Sequence, residues 1–353
     1  MKLDNAFLDR FAALGQSPTA RAYPPAKKLS MLLRPSLIAP PGKVLVWGDW
    51  SAIEARKLPW LAASRGSEKV LDIFRTNDAD PNLPDIYILT AAELLREDPA
   101  ALWAAYRAKE KHAKDARQAY GKVPVLSLGF GGGLGALLAM ASNYGVYLDT
   151  TTAMSVVQRW REANVWAVDF WGKHNKHGSY GLWGAACRAL ENPGSIQEAG
   201  RIAYFFEKNY LGGTLFCALP NGDLLTYPMA RWEWREVEDK KTKVKEDRFQ
   251  LTFNKGYGRS ALWHGKLAEN TTQASAARIL RDALKAIEYT ELGEWMPVVM
   301  HTHDEIVVEV DESREADARA ALHAVMAKVR PWLHGIPLAV GISSGWAYSK
   351  AGE

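Results

Sequence analysis

Two acid-bearing stretches, Asp49-Trp50-Ser51-Ala52-Ile53-Glu54-Ala55-Arg56 and His301-Thr302-His303-Asp304-Glu305, stand far apart in the chain. Two carboxylates about 4 Å apart repel by roughly 4 kcal/mol at an effective dielectric of about 20, so a site that keeps both ionised calls for a cation. Magnesium suits such a pair, because it takes hard oxygen ligands and is held by one or two carboxylates together with substrate phosphates. Two such ions stabilise the attacking and leaving oxygens of an in-line phosphoryl displacement. A lone Asp at a strand end is more often a turn former or a helix cap, so neither stretch decides the matter by itself.

The flanking residues say what positions these acids. Lys43-Val44-Leu45-Val46-Trp47 enters from a Pro40-Pro41-Gly42 turn, and Val298-Val299 and Ile306-Val307-Val308-Glu309-Val310 border the second stretch. Such β-branched runs predict strands, which places both acids at strand ends in one sheet. Between them, Lys122, Leu126 and Phe130 recur every four residues ahead of Gly131-Gly132-Gly133. That spacing puts a cation, an apolar residue and an aromatic on one helix face, although an amphipathic core helix with a solvated lysine has the same pattern. The glycine run is not a Walker-type phosphate loop, since no Gly-Lys-Ser/Thr closes it.

At this point the chain resembles the family A DNA polymerases, in particular phage enzymes. Their motif A, Asp-Tyr-Ser-Gln-Ile-Glu-Leu-Arg, is matched at Asp49, Ser51, Ile53, Glu54 and Arg56, and their motif C, His-Asp-Glu, at His303, Asp304 and Glu305. The fingers-helix spacing is matched by Lys122, Leu126, Phe130 and Gly131. Asp85-Ile86-Tyr87 with Thr90-Ala91-Ala92-Glu93, and Glu269-Asn270-Thr271-Thr272-Gln273, resemble two further segments. The resemblance runs from about Arg34 to the C-terminus and keeps the family's order.

The resemblance implies an α+β right-hand polymerase with an antiparallel palm sheet and mostly helical fingers. Its divisions would be 1–41 as an N-terminal segment, 42–84 as the first palm part, 85–210 as fingers and 211–353 as the second palm part. It implies that Asp49, Asp304 and the Trp50 backbone carbonyl hold two Mg2+ ions, for which Mn2+ can substitute, and that Lys122 neutralises the incoming triphosphate. Glu54 would close the floor under the sugar and select deoxynucleotides, Leu126 would pack the base and sugar, and Phe130 would stack near the nascent pair. Arg56, Gln273 and His303 would contact primer-template DNA, with Ser51, Lys114, Gly131, Asn270 and Glu305 as secondary candidates.

Departures from the family pattern carry their own expectations. Phe130 replaces a tyrosine, Trp50 a tyrosine and Ala52 a glutamine. The family's arginine stands four residues before the lysine, but here Gln118 holds that place and Arg117 lies five away. Five residues rotate a side chain by roughly 140° from the lysine face of a regular helix. Gly121 and Pro124 offer a remedy, because a proline frees a backbone carbonyl and a π-type turn brings residues five apart onto one face. Arg117 is then the expected triphosphate contact, and Lys114 its substitute on a regular helix.

Asp49 comes too early for a preceding thumb or proofreading exonuclease, so the expectation is palm and fingers alone: either the chain is a fragment, or its missing parts come from a second polypeptide. The substrates would be primer-template DNA and deoxynucleoside triphosphates. Competing readings are a single-subunit RNA polymerase, which Glu54 argues against, a metal-dependent nuclease, which leaves the fingers motif without a purpose, and a non-catalytic DNA-binding subunit of a split polymerase.

Composition constrains without deciding. The 353 residues are 48% hydrophobic and 24% charged, which suits a globular chain, and a net charge of +4 is too small to identify a nucleic-acid binder. Arg107, Lys109, Lys111, Lys114, Arg117 and Lys122 form a local basic run opposed by Glu110 and Asp115, more commonly a solvated face than a ligand site. Trp47 and Trp171 sit in apolar stretches and read as packing residues. Cys187 and Cys217 have no metal or disulfide spacing, and no apolar run is long enough to cross a membrane. These features point to the cytoplasm, that of an infected bacterium if the phage likeness holds. The pattern further predicts a helix near 7–14 followed by a proline-punctuated loop, mainly helix from 91 to 210, strands from 214 to 253 with a charged hairpin tip at 236–247, and helices over 265–289 and 314–329.

Overall fold

The computed structural model describes residues 33–175, 178–238 and 244–349. The helix expected at 7–14, its following loop and the 239–243 tip of the charged hairpin lie outside the described residues. The chain divides into two compact units: Met1–Ser51 with Ile279–Lys328 and Ala339–Glu353, and Ala52–Arg278 with Val329–Leu338.

The first unit is built on a four-stranded antiparallel sheet whose spatial order is Val298–Thr302, Glu305–Asp311, Lys43–Trp50 and Val340–Gly345. Strand Lys43–Trp50 is central and covered on both faces, which explains why its apolar run is unbroken rather than alternating. Leu45 and Trp47 pack with Val307 and Tyr348 on one face. On the other face Gly48 lies against Met326 of helix Glu315–Ala327, and the Trp50 indole N–H donates to the Met326 carbonyl at 3.0 Å. Strand alternation therefore gives Asp49 the Tyr348 face and Trp50 the helix face.

The second unit begins with helices, including Ile53–Ala62, Arg65–Ala79, Ile86–Leu95, Pro99–Arg107 and Lys111–Ala116. A π-helix, Arg117–Lys122, follows and passes directly into helix Val123–Leu128. The π-turn anticipated from Gly121 and Pro124 is thus present. A side chain at Gly121 would run into the Tyr87 carbonyl, so glycine is what lets this turn close against helix Ile86–Leu95.

Further along, strands start earlier than the sequence pattern suggested. Gln197–Ala199, Ile202–Glu207, Thr214–Ala218 and Leu224–Tyr227 form an antiparallel sheet in that order. Ile202, Tyr204 and Phe206 are buried at every second position, a strand period inside a stretch expected to be mainly helical. Arg231–Glu238 pairs with Lys245–Lys255, confirming the charged hairpin on either side of its tip. The long helix before the second acid stretch spans His264–Glu288, and Glu315–Ala327 follows that stretch, each within two residues of expectation.

Candidate active site

Within the first unit, antiparallel register sets Asp49 opposite Glu305. The Trp50 N–H reaches the Asp304 carbonyl at 3.4 Å, so the turn that carries Asp304 closes onto the end of the strand that carries Asp49. Both aspartates are half-buried. Each lies close to a non-glycine residue in the left-handed region, Ala52 at φ 51° and His303 at φ 50°. That conformation costs about 1–2 kcal/mol per residue and recurs where surrounding structure holds a functional turn in place.

Glu305 behaves differently from its two neighbours. It is 3% exposed, and one carboxylate oxygen accepts from Arg34 Nη2 at 3.0 Å and from the Tyr348 hydroxyl at 2.9 Å. Burial pushes the Tyr348 phenol well above its ordinary range; the hydrogen bond and charge of Glu305 add to this, Arg34 opposes it, and the Asp49 charge adds again. Glu305 is thereby tied into the interior, leaving Asp49 and Asp304 as the acids at the strand ends. Among the described residues no group of three or more His, Cys, Asp or Glu side chains is placed to hold a metal. Two carboxylates and the Trp50 carbonyl fit a hard divalent cation that completes its shell with substrate oxygens and water.

Within the second unit, Glu54, Leu126 and Phe130 line one apolar cleft together with Leu58, Trp160 and Trp166. Glu54 comes from the first turn of Ile53–Ala62, Leu126 from Val123–Leu128, and Phe130 from the turn that follows it. Lys122 is half-buried with Nζ 5.1 Å from the Tyr144 ring centre. Arg117, at the other end of the π-turn, pairs with Asp85 at 2.5 and 2.9 Å and lies over the Tyr87 and Tyr106 rings. The Tyr87 phenol is pushed up to about 12 mainly by burial, with Arg117 opposing and Asp85 adding to the rise. The π-turn removes the regular-helix condition under which Lys114 would replace Arg117; Lys114 is exposed on Lys111–Ala116.

The remaining candidates separate cleanly. Arg56 is 2% exposed, its guanidinium doubly bonded to the Asp78 carboxylate and 4.4 Å from the Phe74 ring centre. In this structure the guanidinium is held inside the fold by Asp78 rather than presented to solvent. Gln273 and His303 are exposed, as a contact to DNA requires. The Asn270 amide donates to the Tyr227 hydroxyl at 3.1 Å, and the Ser51 N–H to the Ala339 carbonyl at 2.9 Å. Sequence reasoning did not single out Arg34 or Tyr348, whose partner Glu305 is remote in the chain.

No protein-family profile matches the chain. Over 312 residues it is 30% identical to a DNA polymerase of Bacillus phage SP02, an alignment covering 88% of this chain and 42% of that protein. The chain thus spans about two fifths of the length of this relative. Its fold is similar to the POL domain of Pol1 from M. smegmatis, solved in complex with DNA primer-template and dNTP. The TM-score is 0.55 at 15% identity, covering 93% of this chain and 44% of that one. The fold is thus that of a polymerase domain, and in sequence the chain is similar to a phage DNA polymerase over most of its own length.

Proposed function

We propose that this chain carries out template-directed DNA synthesis, adding deoxynucleotides to the 3′ end of a primer. The observation that carries this reading is that Asp49 and Asp304, remote in sequence, meet at adjoining strand ends while Glu305 is drawn into the interior. The primer 3′-oxygen attacks the α-phosphorus, the bond from that phosphorus to the bridging oxygen breaks, and pyrophosphate leaves with that oxygen.

In this reading Asp49, Asp304 and the Trp50 carbonyl hold the divalent cation, Mg2+ or Mn2+. When bound, the metal supplies charge stabilisation to the attacking and leaving oxygens. Lys122 offsets triphosphate charge, a positioning and electrostatic role suited to a reaction in which the protein does little covalent chemistry. In the Glu54–Leu126–Phe130 cleft, the carboxylate end closes the sugar side and excludes a 2′-hydroxyl, while Phe130 offers a ring face to the base. Gln273 and His303 are the exposed candidates for primer-template contact. Arg117 reaches the triphosphate only by exchanging its Asp85 partner for phosphate.

The palm of the right-hand description then corresponds to the sheet carrying both acids, and the fingers to the helices around the cleft. No described helix is long and apolar enough to cross a membrane; with a phage relative, the proposed place of action is the cytoplasm of an infected bacterium. Primer extension with deoxynucleotides beside ribonucleotides tests the reading. Wild type should use only the former, and Glu54→Ala should relax that preference; equal use of both by wild type would contradict the role given to Glu54.

A further inference from the structure

Phe130 does not stand on its turn unsupported. The Trp171 indole N–H donates to the Gly129 carbonyl at 2.6 Å, and Arg161 Nη2 donates to the Gly132 carbonyl at 3.0 Å, so both sides of Phe130 are pinned by side chains from other elements. Trp171 is itself held in a stack. Its ring is nearly parallel to Trp160, with centres 6.0 Å apart and planes at 5°, and it lies 6.4 Å from His264 with planes at 26°. At the far end of the stack, His264 abuts Gly131, where an added Cβ would stand 2.9 Å from the imidazole. A Cβ at Gly265 would stand 2.5 Å from the Phe130 carbonyl oxygen.

The stack joins Phe130 to its cleft from two directions. Trp160 is both a cleft wall beside Phe130 and the first ring of the ladder, while Trp171 reaches the backbone one residue before Phe130. Trp160 and Trp171 are each 3% exposed, so the indole–carbonyl bond forms away from water, where losing one partner leaves a buried carbonyl unpaired. Burial first, then the charges of Arg161 and Lys173, hold His264 below its ordinary range, which favours the neutral ring at the end of the ladder.

We propose that Trp171 is a positioning residue for nucleotide selection, acting through the Gly129 carbonyl and its stack with Trp160 and His264 to fix the Phe130 ring in the cleft. The inference rests on the polymerase reading of that cleft and goes beyond it by naming a buried indole, remote from the metal acids in sequence, that governs how well a base pair is accepted.

The test is a double-mutant cycle. Trp171→Phe keeps a ring in the stack and removes the N–H, and Phe130→Ala removes the group it positions. Trp171→Phe should raise the KM for the correct deoxynucleotide about threefold to tenfold with little change in kcat, as loss of one buried hydrogen bond implies. In the Phe130→Ala background the same substitution should have no further effect, because the cycle isolates coupling between the two sites. Effects that multiply independently, or an unchanged KM in Trp171→Phe, would overturn the inference. Arg161→Ala, on an exposed side chain, provides a second variant if Trp171→Phe does not fold: it should raise KM in the same direction, and an unchanged KM there would overturn the inference as well. Wild-type primer extension is measured first. An inactive wild type would count against the polymerase reading itself, whereas an active wild type with uncoupled variants counts against this inference alone.

Discussion

Asp49 and Glu305 face each other across the antiparallel pair Lys43–Trp50 and Glu305–Asp311, yet only Glu305 is committed to the interior by Arg34 and Tyr348. The Asp49 charge is felt at the same Tyr348 phenol, so one tyrosine senses both carboxylates. Glu305 is thus tied to Arg34 and Tyr348 within the sheet, and under the proposed function it is Asp49 and Asp304, not Glu305, that would hold the cation.

Removing the Tyr348 hydroxyl tests that separation. Tyr348→Phe should lower unfolding free energy by about 1–3 kcal/mol, because Glu305 keeps Arg34 but loses a buried donor. Since the folded phenol titrates above its unfolded value of 10, its contribution is fully present below pH 10 and fades at higher pH. Urea unfolding of both proteins at pH 7 and above pH 10 checks this; equal stability at pH 7 would show that the hydroxyl contributes nothing.

Lys57 supplies an independent test of burial against attraction. It is fully buried, and Nζ lies 4.1 Å from the Trp60 ring centre and 4.3 Å from that of Trp332. A desolvated cation–π contact is worth about 2 kcal/mol, whereas burying an ion costs several. Burial prevails, with Arg201 adding, and pushes the amine from 10.5 down to about 6. The unfolded chain therefore binds this proton more tightly, and wild-type stability should rise with pH between about 6 and 10.5. Lys57→Met should abolish that slope and raise stability at pH 7 by about 1–4 kcal/mol. A destabilised Lys57→Met would mean that the ammonium stays charged between its two indoles.

Arg56 distinguishes a structural from a DNA-binding arginine. Arg56→Lys breaks the paired geometry with Asp78, so the melting temperature should fall while the salt dependence of primer-template binding stays as in wild type. A variant of normal stability whose log–log salt slope drops by about 0.9 would instead place Arg56 on a phosphate.

Gly121 tests the π-turn. Gly121→Ala drives a methyl group into the Tyr87 carbonyl and should cost about 1–3 kcal/mol, measured by thermal unfolding. A neutral result would mean that the turn can open away from helix Ile86–Leu95 without loss.

What the sequence made legible follows from range. Asp49 and Asp304 could be placed because β-branched runs beside them announce strands locally, and the π-turn because Gly121 and Pro124 stand within it. Glu54, Leu126 and Phe130 could be grouped by resemblance, and one cleft does bring them together. The pairing of Arg56 with Asp78 was not legible, because Asp78 lies on the next helix and no spacing rule couples them. Arg34 and Tyr348 stayed hidden for the same reason, the former being 271 positions from the carboxylate it pairs with. The strand at Ile202–Glu207 was legible in principle, since its alternation is visible, but it lies in a stretch whose neighbours read as helix.

The most direct measurement is magnesium-dependent primer extension by wild type, Asp304→Ala and Asp49→Asn, with primer-template binding followed in parallel. Wild type should extend the primer, and each variant should lose at least about a hundredfold in activity at unchanged DNA affinity. Extension that survives in either variant, or its absence in a wild-type chain that binds primer-template, would contradict the assignment of Asp49 and Asp304 as the acids that carry the chemistry.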